Sequence, residues 1–427
     1  MKKISGLRWW IIGMVILCTV INYLARNSLA VMSVHLMQEL HFDTRQYALI
    51  VNAFQAGYMI MQPVCGMVMD MIGLRAGLAL FAVGWSLACA GHVFATGWVG
   101  LAGFRLLLGM TEAAVIPAGV KAVGEWFPRQ ERSVAVGYKN AGTSIGAMAA
   151  PPIVVFLMTM YNWEMAFLVI GVAGILWAVL WCSFYRLPAD HKHLSEAERG
   201  MILNGQDAPI PVGQRKKPSV KKILTTRHFW AIAIPKFLTE PAWQIFSFFI
   251  PLFLMKERGM DLKSIALFAW VPFLAADMGG VLGGYLSPIY MKYFKIDLIR
   301  ARVWAMGSGA FCMIAPGFIG WALNPYLAIG LFCIGTFAHQ IISVQFSTLV
   351  TDVFPTSEQA TTSGFTGMAA WAGGLTVTAI VGLVVDKVGY TPIFISLSVL
   401  DLLGLAVLFL LIRDRFERRP SLVPATV

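Results

Sequence analysis

Apolar residues gather along this chain into twelve long runs that are separated by short polar stretches. Each run is about as long as the roughly 20 residues that a helix needs to cross the hydrocarbon layer of a membrane. The runs fall at residues 8–33, 46–70, 74–97, 98–122, 133–160, 163–186, 227–256, 263–290, 300–320, 324–350, 359–386 and 390–412. The pattern predicts an all-α polytopic membrane protein with twelve transmembrane helices.

One long hydrophilic stretch divides the twelve runs into two sets of six. Residues 125–137 read EWFPRQERSVAVG and residues 352–364 read DVFPTSEQATTSG, so an acid, Phe-Pro, Glu and Gly recur between the fourth and fifth run of each set. Such an internal repeat predicts two pseudo-symmetric six-helix bundles. The expected domains are a first bundle at 1–186, a linker at 187–226 and a second bundle with a short tail at 227–427.

Basic residues concentrate in the linker and at both ends of the chain. The positive-inside rule then places both termini and the linker in the cytoplasm, and an even number of spans requires both termini on one side. Within the linker, LSEAER carries Ser195 and Glu198 at the spacing of a capping box, which predicts a short surface helix. A solvated connection between the halves explains the same stretch.

Composition supports the membrane class and excludes several others. Hydrophobic residues make up 58% of the chain and charged residues 13%, against about 45–50% and about 25% in soluble domains. The formal charge of +11 does not indicate nucleic-acid binding, because the basic residues lie between the apolar runs. The six cysteines show no metal-ligand spacing, and we find no nucleophile elbow or phosphate-binding loop. We therefore expect no metal, no cofactor and no enzymatic activity.

The loop after the second run contains GMVMDMIGLRAG, with Gly66, Asp70, Gly73 and Arg75. Its glycines permit a tight turn and close helix approach, and Asp70 is suited to accept hydrogen bonds from a helix N-terminus or a basic side chain. An ordinary loop turn is the alternative. The spacing resembles the loop motif of the major facilitator superfamily, which implies that the loop stabilises one of two conformations.

Further stretches resemble the anion:cation symporter branch of that superfamily, and within it the bacterial hexuronate transporters. They are the R-x-x-x-G pattern at Arg105, VINYLARNSLAV in the first run, GYKNAGTSIGAMAAPP at 137–152, NGQ at 204–206 and KFLTEPAW at 236–243. The resemblance implies a proton-coupled symporter that imports galacturonate and glucuronate by alternating access. One departure is Ala25, which stands where many members carry an aspartate that serves as a proton site.

Three residues are candidates for binding the sugar acid. Arg26 is assigned to the substrate carboxylate, because a guanidinium stays charged when buried and donates two parallel hydrogen bonds. Tyr23 and Tyr58 match substrate-site tyrosines of the branch, and a tyrosine offers a sugar ring an apolar face with a hydroxyl tip. Taken alone, tyrosines at these positions are more often helix-packing residues than substrate contacts.

Ionisable residues inside the runs are the candidates for proton coupling, because the cost of burying charge marks such residues as functional. Glu112 is the first candidate, since the proton affinity of a buried carboxyl group follows the arrangement of nearby cations. Arg26 and Arg105 are the cations that the resemblance supplies. A static ion pair between the first and fourth runs is the alternative. Asp277 is the second candidate.

Polar residues in other runs complete the predicted cavity. Candidates for the sugar hydroxyls and ring are Asn140, Thr143, Trp243, Gln244, Gln340 and Gln345. The sequence leaves the roles of Lys139, Lys236, Glu240 and His339 open.

The nearest alternative function is transport of another sugar acid, such as galactonate or glucarate. An organophosphate:phosphate exchanger asks for one arginine from each half, whereas the seventh run offers Lys236. A membrane sensor without transport is a third possibility, against which the retained proton site argues. We expect a monomer in the bacterial inner membrane, with a hexuronate-type anion, protons and the lipid bilayer as its partners.

Overall fold

The computed structural model describes residues 3–204, 218–261, 264, 268 and 270–412, and all regular elements in these ranges are helical. The α-helices are α1 (Leu7–Glu39), α2 (Thr44–Ile72), α3 (Leu74–Gly91), α4 (Trp98–Glu112), α5 (Val115–Trp126), α6 (Arg132–Met160), α7 (Trp163–Phe184), α8 (Glu196–Leu203), α9 (Val220–Thr225), α10 (Arg227–Lys256), α11 (Val271–Phe294), α12 (Leu298–Cys312), α13 (Pro325–Val353), α14 (Gln359–Val388) and α15 (Thr391–Ile412). Short 3₁₀ turns follow α3 at His92–Phe94 and α12 at Ala315–Trp321. We refer to α1–α7 as the N-half and to α10–α15 as the C-half.

Ten helical segments of the described residues are long and apolar enough to cross a membrane. The remaining two long helices, α10 and α11, occupy the positions of the seventh and eighth predicted spans. The eighth helix begins at Val271 rather than at residue 263, and part of the stretch between lies outside the described residues.

The fourth predicted span is not one continuous helix. It is interrupted after Glu112 and resumes at Val115. Pro117 explains the break, because proline has no N–H to donate and its ring clashes with the carbonyl of residue 113 in an unbroken helix. Glu112 is therefore the last residue of α4, at a bend in the middle of the span.

Two buried apolar clusters form the cores of the halves. The first extends over residues 7–202 and includes Val344 and Ala360 from the C-half. The second extends over residues 223–412 and includes Val120 from the N-half. Most of each core therefore comes from one half, and a few side chains join the two.

The halves meet where glycines allow helix backbones to approach closely. A Cβ atom on Gly66 of α2 would lie 2.2 Å from Ala360 O of α14. A Cβ atom on Gly284 of α11 would lie 2.6 Å from Ser133 O of α6. Both contacts lie toward the end of the bundle that carries α8 and α9, which we call the linker side.

The described part of the linker is docked on the N-half. Ser195 caps α8 by accepting a hydrogen bond from Glu198 N at 3.3 Å, as the spacing predicts. Glu198 itself is buried and accepts from Leu7 N at 3.2 Å and from Arg8 Nη1 at 2.7 Å. A solvated connection is therefore wrong for this segment. Residues 205–217 and 413–427, with the basic clusters and part of NGQ, lie outside the described residues.

His191 anchors the same segment. Its ring is buried, with edge contacts to Trp126 and Phe184 at centroid distances of 5.6 and 5.5 Å. Burial lowers the pKa of His191, and the neighbouring positive charges of His193, Arg186 and Arg199 lower it further. A neutral imidazole is thus part of this docked structure.

Candidate functional site

The centre of the candidate site is an ion pair between the first and fourth spans. Arg26 Nε donates to Glu112 Oε2 at 3.2 Å, and the Glu112 side chain is fully buried. Glu112 Oε1 and Arg26 Nη2 are buried without a hydrogen-bond partner among the described residues. The pair is therefore incompletely satisfied: it retains one free acceptor and one free donor.

Arg105 supports this pair through the backbone of α1 rather than through a direct hydrogen bond to Glu112. Its Nη1 donates to the backbone carbonyl of Arg26 at 3.0 Å, while its Nε and Nη2 have no partner among the described residues. Arg105 and Glu112 interact electrostatically, and no hydrogen bond joins their side chains among the described residues. The structure thus brings together the three residues that the sequence analysis grouped, with Arg105 holding the backbone of α1.

Aromatic rings surround the Arg26 guanidinium on three sides. The carbon Cζ lies 4.4 Å from the ring centroid of Tyr23, 4.7 Å from that of Tyr58 and 5.2 Å from that of Phe54. The Tyr58 ring in turn lies 5.2 Å from Trp371 of the C-half. Rings around a cation help to fix its position.

Three residues of this site escaped the sequence analysis. Phe54 and Trp371 gave no signal, since aromatic residues in apolar runs are common. Asn22 precedes Tyr23, is fully buried, and neither amide atom has a partner among the described residues. It lies one helical turn before Arg26, so it shares that face of α1. The sequence feature that could have indicated Asn22 was its amide side chain within an apolar run, where a polar group needs a hydrogen-bond partner.

The C-half candidates divide into two groups. Trp243 stacks on His339 with ring centroids 5.7 Å apart, and Gln340 Oε1 is buried without a partner among the described residues. Gln244 is buried against α14, where a Cβ atom on Gly374 would lie 2.6 Å from its Cγ. These residues offer polar groups and a ring within the C-half.

Gln345 belongs to helix packing, which corrects its predicted place in the cavity wall. Its Nε2 donates to Gly283 O at 2.8 Å and its Oε1 accepts from Ser287 at 3.0 Å. The side chain is fully buried, because α13 and α11 lie close enough at this level to share these bonds.

The N-half candidates on α6 make local contacts. Thr143 Oγ1 donates to Asn140 O at 2.7 Å, which satisfies the hydroxyl within its own helix. Asn140 and Thr143 are both half-buried. Lys139 is buried, with its side chain against Gly119 of α5, and has no ion pair among the described residues.

Asp277 lies between the halves rather than beside Glu112. Its Oδ1 accepts from Ser144 Oγ at 2.5 Å, which joins α11 to α6 about three turns into α6. Asp277 thereby takes part in the contact of the halves at mid-depth.

The loop motif forms a closed contact at the linker side. Asp70 Oδ2 accepts from Thr361 N and Thr361 Oγ1, each at 2.7 Å, at the N-terminus of α14. Lys121 Nζ donates to Asp70 Oδ1 at 2.6 Å. Gly73 adopts a positive φ of 87° between α2 and α3. Arg75 instead donates to Cys182 O at the end of α7, so it braces the N-half internally.

A second contact at the linker side was missed. Asp352, which is fully buried, pairs with Arg132 and with Arg302 at 3.1 Å each. Arg302 also donates to Ser133 Oγ at 2.6 Å. The repeat motif contained Asp352, but its alignment with Glu125 gave no indication of two arginine partners. In the described part of the chain, the hydrogen bonds between the halves run from this side to mid-depth.

A family model described as Major Facilitator Superfamily matches residues 15–378. The hexuronate transporter of Escherichia coli (strain K12) is 49% identical over 415 residues, which cover 97% of this chain and 96% of that protein. The galacturonate transporter of Dickeya chrysanthemi is 51% identical over 329 residues, which cover 77% of this chain and 95% of that protein. The resemblance predicted from the sequence motifs is confirmed by these matches.

Among solved structures, the proton:xylose symporter XylE bound to 6-bromo-6-deoxy-D-glucose superposes with a TM-score of 0.71 at 13% identity, covering 95% of each chain. At that identity the similarity concerns the fold alone. The predicted arrangement of twelve helices in two six-helix bundles is thereby confirmed.

Proposed function

The chain belongs to the Major Facilitator Superfamily, and from that premise we propose that it imports hexuronates together with protons. It is a multi-pass membrane transporter and not an enzyme. The names of its relatives, a hexuronate transporter and a galacturonate transporter, support galacturonate and glucuronate as substrates. Galactonate or glucarate is the alternative, since either offers the same carboxylate.

The observation that carries the proposal is the incompletely satisfied Arg26–Glu112 pair. A substrate carboxylate and Glu112 compete for the same guanidinium. Protonation of Glu112 removes its negative charge and frees Arg26 to donate two parallel hydrogen bonds to the substrate. The cage of Tyr23, Phe54 and Tyr58 holds the guanidinium in place during this exchange.

Arg105 acts as a positioning residue in this mechanism. Its bond to Arg26 O fixes the backbone from which the Arg26 side chain extends. Its positive charge also stabilises Glu112 after the proton leaves. An organophosphate exchanger is less well supported, because the seventh span offers Lys236 rather than an arginine.

We further propose that the linker side is cytoplasmic, in the inner membrane, and that both termini lie there. Bonds of Asp70 and Asp352 close that side, so the structure corresponds to the state that accepts substrate from the opposite face. Residues 1–186 and 227–427 then rock as two domains around the site, linked by 187–226. Most of each apolar core comes from one half, which supports this division. We propose a monomer as the transporting unit.

Uptake into proteoliposomes tests the coupling. Wild-type protein should concentrate labelled galacturonate under an inward proton gradient, and Glu112→Gln should exchange galacturonate across the membrane without concentrating it. Glu196→Gln is the matched control, since Glu196 is an exposed carboxylate of α8. Concentrative uptake by Glu112→Gln would show that Glu112 is not the coupling group. Glucose has no carboxylate for Arg26 to bind. If glucose inhibited galacturonate uptake as well as glucuronate does, the role of Arg26 would be contradicted.

A further inference from the structure

A carboxyl group in the middle of α15 has no partner among the described residues. Asp401 is 1% exposed, and neither of its oxygens has a hydrogen-bond partner there. An unpaired charge inside a membrane is costly, so an acid at such a position is retained for a function. Asp401 lies in the C-half, whereas Glu112 belongs to the N-half, so the mechanism above does not use it.

α15 packs against α10 at the level of this carboxyl group. A Cβ atom on Gly404, three residues after Asp401, would lie 3.0 Å from Thr239 Cγ2. Glu240 follows Thr239 and is close enough to Asp401 for an electrostatic interaction. Lys236, one turn earlier on α10, interacts with Glu240 in the same way. The carboxyl groups of Asp401 and Glu240 and the ammonium group of Lys236 therefore lie along the contact between α10 and α15, inside the C-half.

Among the described residues, the other elements packed on α15 bring no charge to this level. The arginines of α12 are Arg300 and Arg302, which pair with Asp297 and Asp352 at the linker side. The turn Ala315–Trp321 contains no ionisable residue. The charged residues of α14 are Asp386 and Lys387, at the end of the helix away from the linker side. Among the described residues, Glu240 is thus the charged group that interacts with Asp401, and Lys236 interacts in turn with Glu240.

We propose that Asp401 and Glu240 form a second proton-binding site, in which one of the two neighbouring carboxyl groups carries a proton. Two neighbouring carboxylates repel each other, and a proton bound to either of them removes this repulsion. Glu240 is half-buried, which gives the proton a path between Asp401 and the cavity along α10. On release, the O–H bond breaks and the proton passes to water.

This inference rests on the proposed symport and makes it electrogenic. A hexuronate carries one negative charge, so import with a single proton on Glu112 moves no net charge. A second proton on the Asp401–Glu240 site adds one positive charge per cycle. Uptake then responds to the membrane potential as well as to the proton gradient.

Difference infrared spectroscopy tests the site without any substrate. Wild-type protein should show C=O bands of buried protonated carboxyls that change between about pH 5 and about pH 9, and Asp401→Asn should lose one component of that change while the component of Glu112 remains. Ser398→Ala, a buried neighbour one turn away, should keep both components. If the Asp401→Asn difference spectrum equals that of wild type, Asp401 binds no exchangeable proton. Glu240→Gln provides the same test if Asp401→Asn does not fold.

Uptake driven by an inside-negative potential tests the coupling. Wild-type proteoliposomes should accumulate galacturonate under a potassium–valinomycin potential at equal pH, and Asp401→Asn should respond only to a pH gradient. Equal voltage dependence in both proteins, or none in wild type, would overturn the proposal. Absence of galacturonate uptake under every gradient would instead contradict the proposed function, while the infrared result would still decide the carboxyl site.

Discussion

Gly284 lies at a close passage of α11 past α6, and enlarging this residue should open the linker side. A Cβ atom there would lie 2.6 Å from Ser133 O and 3.0 Å from Val134 Cα, whereas ordinary contact begins at 3.4 Å. Both neighbours are backbone atoms of the other half, so no side-chain rotation relieves the clash. Overpacking costs about 1–3 kcal/mol, and here it falls on the closed state alone.

About 1.4 kcal/mol changes an equilibrium tenfold, so Gly284→Ala should raise the ratio of open to closed linker sides by about 5- to 150-fold. Spin labels at the exposed positions Gln130 and Lys295 measure this by double electron–electron resonance, as a growing population at longer distance. The matched control is Gly280→Ala on the same helix, where the nearest atom to an added Cβ is Gly137 O at 3.8 Å. Unchanged distances in Gly284→Ala, or equal opening in Gly280→Ala, would refute the reasoning.

Three further predictions follow from the site, the linker-side contacts and the docked linker. Arg26→Lys should weaken galacturonate binding about 10- to 100-fold in isothermal titration, since the charged fork contributes about 1.5–3 kcal/mol; unchanged affinity would contradict this. Asp352→Asn leaves two buried arginines without their carboxylate partner, at a cost of about 3–5 kcal/mol, so the thermal unfolding midpoint in detergent should fall. The exposed control Asp297→Asn should keep the wild-type midpoint. Equal midpoints for the two variants would argue against a buried contact. Because burial lowers the pKa of His191, docking of α8 is fully stable above the ordinary histidine pKa and weakens as the pH falls below it. Hydrogen exchange of residues 187–204 at about pH 7.5 and about pH 5.5 measures this, and His191→Phe should abolish the difference.

Hydropathy alone predicts most of the fold, because a spanning helix must be long and apolar whatever its neighbours are. Breaks within the predicted spans depend instead on the local chemistry of particular residues. Pro117 divides the fourth span, and this residue was visible in the sequence without its consequence for Glu112. The docking of Glu198 on Leu7 and Arg8 joins residues about 190 positions apart, and the capping pattern carries no information about that contact.

The sequence analysis named the charged residues of the candidate site and the tyrosines Tyr23 and Tyr58, but it missed Phe54, Trp371 and Asn22. Arg26, Arg105 and Glu112 stand out because charge is rare in apolar runs. Phe54 resembles any other apolar residue until the position of Arg26 is known. Gln345 shows the converse: a polar side chain in a span has the same sequence signature whether it faces a cavity or bonds to a neighbouring helix, and only packing distinguishes the two.

Proton uptake on substrate binding tests the central claim most directly. Galacturonate is added to purified protein in weakly buffered solution, and a pH-sensitive dye reports the protons taken up. If the substrate replaces Glu112 at Arg26, Glu112→Gln should bind galacturonate while taking up one proton fewer per molecule bound than wild type. Equal proton uptake by the two proteins would contradict the exchange of Glu112 for the substrate carboxylate.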